Sequence, residues 1–107
     1  MLAKTYKLTS QDYSKVLKNG KKINLGWVGI VYTTSQNNKP MFGLVVPASV
    51  IAKAVQRNQI KRKIYNTVQD IISTELKHNY KVLIRVFRKP NKQDYQKLYN
   101  TINDLLC

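Results

Sequence analysis

A chain of 107 residues with 43% apolar side chains can fill one modest core and has no room for a second, so residues 1–107 read as a single domain. Nineteen Lys and Arg against five Asp and Glu give a formal charge of +14, which opposes compaction unless a polyanion or counterions offset it. Nucleic acid suits that demand best, because each phosphate neutralised releases condensed counterions, whereas no apolar run approaches the roughly 20 residues of a membrane span.

Met1 to Leu8 lack the apolar middle of a secretory signal, and the single Cys107 cannot form an internal disulfide; both fit a cytoplasmic protein. Thr9 to Asp12 resembles a capping box with Asp in place of Glu, and Tyr13, Val16 and Leu17 follow at helical spacing. Lys18-Asn19-Gly20 closes that helix, Gly20 being free to take the left-handed conformation. Trp27 to Thr34 is aromatic and β-branched, a strand with Trp27 and Val31 on one face and Val28, Ile30 and Tyr32 on the other. Ser35 to Pro40 is polar turn material, and Met41 to Val46 is a second strand stopped by Pro47, so the two read as an antiparallel hairpin.

A helix follows over roughly Ala52 to Leu76, and a third strand over Tyr80 to Arg88. In that strand Val82, Ile84 and Val86 form a buried side, while Lys81, Leu83, Arg85 and Phe87 form a wetter, positive one. After Pro90, Asn91 caps a last helix with Asp94 in its first turn and a core stripe of Tyr95, Leu98, Tyr99, Ile102, Leu105 and Leu106. No repeat or linker interrupts this order. The elements read as an α+β fold, a compact α/β sandwich in the order α-β-β-α-β-α.

The long helix carries the functional signal. At about 100° per residue, Ile60, Ile64, Val68 and Ile71 fall within an arc of roughly 80°, the face that packs on the sheet. Arg57, Lys61, Tyr65, Asn58 and Arg62 fill an adjoining arc of roughly 140°. Arg forks bind phosphate in bidentate fashion and stack on bases, Lys supplies a point charge, and Asn can read a base edge. A solvated Lys-rich face is the bland explanation of such a surface. It normally interleaves Glu with Lys, yet no acid occurs between Ala52 and Gln69.

Ala54-Val-Gln-Arg57-Asn58-Gln-Ile60-Lys61-Arg62 resembles the signature helix of the bacterial ribonuclease P protein subunit family, whose pattern is Ala-Val-x-Arg-Asn-x-Ile-Lys-Arg. The resemblance extends to Tyr13 on the first helix, to Gly20, to Phe42-Gly43-Leu44 and to Arg85 through Lys89. Pro47 to Ala52 departs from the family's Ser-Lys-Lys-x-Gly stretch, and Gln59 and Tyr65 stand where it tends to carry Arg. The resemblance implies an extra short strand and a left-handed β-α-β crossover. It also implies a protein that assembles, as one copy and without self-association, with a catalytic RNA. That RNA removes 5′ leaders from precursor transfer RNA, and Mg²⁺ is expected with it. Lys53, Arg57, Asn58, Lys61 and Arg62 would then contact the catalytic RNA, and Tyr13, Tyr32 and Arg85 the leader.

A protein-only nuclease would need carboxylates or His able to hold metal or move protons. Asp12, Asp70, Glu75, Asp94 and Asp104 are scattered and His78 stands alone, so neither catalytic nor metal-binding residues are assigned to the chain. A ribosomal or other structural RNA-binding protein would share the size and charge, and only the helix motif separates that reading from the family one.

Overall fold

The computed structural model describes residues 7–8, 10–34, 40–72 and 80–106. Thr9 of the expected capping box, the turn residues 35–39, and Glu75, Leu76, His78 and Cys107 lie outside the described residues. The elements are α1 (Ser10–Asn19), β1 (Lys21–Asn24), β2 (Val28–Thr34), β3 (Met41–Val45), α2 (Ala54–Ile72), β4 (Tyr80–Val86) and α3 (Lys92–Leu106). The α+β order read from the sequence holds, and the extra short strand that the resemblance implies is present as β1, ahead of β2.

The four strands form one mixed sheet in the order β1-β2-β4-β3. β1 and β2 are an antiparallel hairpin in which Ile23 faces Ile30. Their turn is closed by Gly26, whose φ of 89° is a conformation L side chains rarely adopt, and whose N–H donates to Asn24 Oδ1 at 2.7 Å. β2 runs antiparallel to β4, with Ile30 opposite Ile84, and β3 runs parallel to β4, with Leu44 opposite the same residue. The expected hairpin of β2 with β3 is therefore wrong. β4 lies between them, and the connection from β3 to its parallel neighbour runs through α2, as a parallel pair requires.

Two apolar layers follow from strand alternation. Val28, Ile30, Phe42, Leu44, Val82, Ile84 and Val86 pack against Ile60, Ile64, Val68 and Ile71 of α2 and Leu98, Ile102 and Leu106 of α3. The opposite sheet face packs Val31 and Leu83 against Val16 of α1 and Leu8. A salt bridge of 3.3 Å from Lys81 to Asp12 ties α1 to β4, at partly exposed positions where such pairs contribute about 0–1 kcal/mol.

Two glycine and aromatic assignments change. Gly20 does not have positive φ; a Cβ there would lie 2.6 Å from both Val16 O and Val31 Cγ1, so the position requires a small residue where α1 meets β2. Trp27 does not share a face with Val31. It is fully buried in the α2 and α3 layer, with its ring edge-on to Tyr95 at 5.4 Å, because the turn at Gly26 re-aims the chain before alternation starts at Val28.

Candidate RNA-binding surface

α1 covers only part of the outer sheet face. The remainder is a cleft of about 370 Å³ whose walls include Tyr13 and Leu17 of α1, Lys22 of β1, Leu83 and Arg85 of β4, and Phe87 just beyond it. Phe87 and Leu17 are 45% and 49% exposed, too open to be core. Glycines in the sheet accept the rings. A Cβ at Gly29 would meet Phe87 Cζ at 2.7 Å, and one at Gly43 would meet Tyr13 Cε1 at 2.5 Å. Phe87 is held at its base by its N–H, which donates to Trp27 O at 2.7 Å.

On the other side of Tyr13 lies a groove of about 660 Å³ lined by Lys7, Leu44, Asn58, Lys61, Arg62, Tyr65 and Asn66 as well as Tyr13 itself. The Lys7 ammonium sits 5.5 Å from the Tyr65 ring centroid, a cation–π distance. Burial, and to a lesser degree the nearby Tyr13, pushes the Tyr65 phenol above its ordinary pKa, so it stays a neutral hydrogen-bond donor at physiological pH. Among the described residues no carboxylate lines either depression. Tyr13 is their common wall, and its hydroxyl accepts from the Leu44 N–H at 3.4 Å.

The structure brings together Asn58, Lys61 and Arg62 in the groove and Tyr13 and Arg85 in the cleft. Arg57 stands apart. At 100° per residue it falls at the core side of α2, and its Nη1 donates to Ile51 O and Ala52 O at 2.9 and 2.8 Å, which binds the start of the helix to the preceding loop. Lys53 is exposed in that loop and does not line the groove. Tyr32 points to the opposite side of the sheet, packed edge-on against Tyr80 at 5.3 Å, so it is not a cleft residue. Lys7, Lys22, Asn66, Leu17 and Phe87 were not singled out from the sequence. Phe87 shares strand parity with Arg85, and Leu17 lies one helical turn beyond Tyr13; these were the available signals.

Among the described residues no three His, Cys, Asp or Glu side chains come together, and no helix is long and apolar enough to cross a membrane.

A model of the ribonuclease P family matches residues 2–107. Comparison with curated proteins finds no match. Among solved structures, a Staphylococcus aureus RNase P protein mutant with defective mRNA degradation activity is similar with a TM-score of 0.78 and 17% identity over 94% of this chain and 85% of that one. Another S. aureus RNase P protein gives 0.69 at 21% identity over 99% and 95%. The RNase P protein from Thermotoga maritima, in complex with 1-(4-fluorophenyl)-2-thiourea, gives 0.64 at 16% identity over 88% and 86%. At such identities the structures establish a shared fold, while the family model spans nearly the whole sequence, and on that match the chain belongs to the ribonuclease P protein family.

Proposed function

We propose that this chain is the protein subunit of a ribonuclease P ribonucleoprotein, in which a catalytic RNA hydrolyses the phosphodiester bond that releases the 5′ leader of precursor transfer RNA. The observation that carries this reading, beyond family membership, is the shared wall at Tyr13: a basic groove and an aromatic cleft open on either side of one ring. Folded RNA presents phosphates and 2′-hydroxyls, which suit Asn58, Lys61, Arg62 and Lys7. An unpaired leader presents base faces, which suit Tyr13 and Phe87 at roughly 1–3 kcal/mol per stacked base, with Arg85 and Lys22 available to its phosphates.

In this assignment the catalytic step and its Mg²⁺ reside with the RNA, and the protein acts as one copy in the cytoplasm by binding and aligning. Reconstitution tests it. Purified protein mixed with the catalytic RNA of its source organism lowers the Mg²⁺ concentration needed to cleave precursor transfer RNA; folded protein that gives no stimulation in matched reactions overturns the reading.

A further inference from the structure

α2 presents a second polar face, apart from the one that lines the groove. Gln56, Gln59 and Lys63 fall within roughly 60° of one another, and their centre lies roughly 140° around the helix from that of Asn58, Lys61 and Arg62. The buried stripe of Ile60 and Ile64 separates the two on the sheet side. At this face Lys63 of α2, Lys89 of the segment after β4, and Lys92 of α3 converge on a pocket of about 250 Å³, joined by Gln56, Gln59 and Tyr95.

Three features distinguish it from a merely solvated charged face. The lysines come from separate segments and meet at a concavity. The Lys63 ammonium lies 5.4 Å from the Tyr95 ring centroid, and that ring is braced behind by the buried Trp27. Among the described residues no acid lines the pocket, and the carboxylate of Asp94, the neighbour of Tyr95 in the chain, is already engaged: it accepts from Arg88 Nη1 at 3.0 Å and from the Asn91 N–H at 2.9 Å. The helix end is already capped by Asn91, so the site consists of side chains.

We propose that this pocket seats the phosphodiester backbone of a second RNA segment, so that α2 is held between two strands of a folded RNA. Three ammonium groups match successive phosphates, and the two glutamine amides can donate to phosphate or 2′-hydroxyl oxygens. The inference rests on the reading of the chain as an RNA-binding subunit.

The test uses the full chain and the catalytic RNA of its source organism. Lysine acetylation read by mass spectrometry, with and without RNA, shows Lys63, Lys89 and Lys92 protected in the complex. The Lys63→Gln/Lys89→Gln/Lys92→Gln variant lowers the slope of log K against log salt by about two, at roughly 0.7–0.9 per phosphate contact. A charge-matched variant at Lys15, Lys18 and Lys97, which line neither this pocket nor the cleft and groove, changes the slope by much less. Equal slopes for the two triple variants, or unprotected lysines in a complex that Lys61→Gln/Arg62→Gln weakens, overturn the second seat alone and leave the groove intact. Absence of any RNA binding overturns both readings. Unchanged RNA affinity in the pocket variant would leave the lysines to a protein partner and also reject the proposal.

Discussion

A methyl group added at Gly43 or at Gly29 would strike an aromatic ring, but the rings differ in what holds them. Tyr13 is half-buried under α1 and its hydroxyl is bonded to the Leu44 N–H, so it cannot swing away without loosening the helix. Gly43→Ala is expected to cost about 1–3 kcal/mol, read as a lowered urea midpoint. Phe87 is 45% exposed and can rotate into solvent, so Gly29→Ala is expected to stay within about 1 kcal/mol of wild type. The same variant should weaken binding of a single-stranded leader RNA, because the stacking surface has moved. A Gly29→Ala protein with unchanged leader affinity would remove Phe87 from the cleft's function. Neither contact could be read from the sequence, since each pairs a strand glycine with a ring far away along the chain.

At the level of elements, helix faces were legible and strand pairing was not. Ile60, Ile64, Val68 and Ile71 are all buried, because the 3.6-residue period is a local property of the sequence. β2 and β3 are successive apolar runs around a polar turn, the pattern of a hairpin, and nothing local records that β4 pairs with both. β1 was implied by the family resemblance as an extra short strand but not by the residue pattern, because Lys21, Lys22 and Asn24 are exposed and only Ile23 faces inward. Within α2, Arg57 and Arg62 part company. Arg57→Ala is expected to lose about 1 kcal/mol of stability, through its two carbonyl bonds, with a small effect on RNA affinity, and Arg62→Ala the reverse. Parallel denaturation and RNA-binding titrations separate the two.

The start of α3 carries a pH-dependent element. Asp94 accepts from the Asn91 N–H while Asn91 Oδ1 accepts from the Asp94 N–H, a reciprocal cap, and Arg88 adds an ion pair. The backbone bond first, and Arg88 after it, hold the Asp94 carboxyl below its ordinary pKa. A depressed native pKa means the contribution is fully present above the unfolded value of about 3.9 and is lost as pH falls through the folded one. Asp94→Asn should therefore be less stable than wild type at pH 6, with the gap closing below about pH 4. A gap that stays constant down to pH 2 would contradict this account.

For the molecule as a whole, a formal charge of +14 makes the fold work against its own repulsion. The screening length shrinks from about 30 Å at 0.01 M salt to about 8 Å at 0.15 M, which is shorter than the molecule. The melting temperature of the free protein, followed by circular dichroism, should rise across that range, and a fall would show that attractive pairs outweigh the repulsion. Composition made that imbalance visible at once, and with it the need for a polyanion. The strand order has a different consequence, for the protein's birth on the ribosome. β4 is the last strand to be synthesised yet occupies a central position, so β2 and β3 emerge without the partner that joins them. The β1–β2 hairpin can form early, but the sheet waits until Val86 has left the exit tunnel, and in that interval the cleft and the groove do not yet exist as surfaces for RNA.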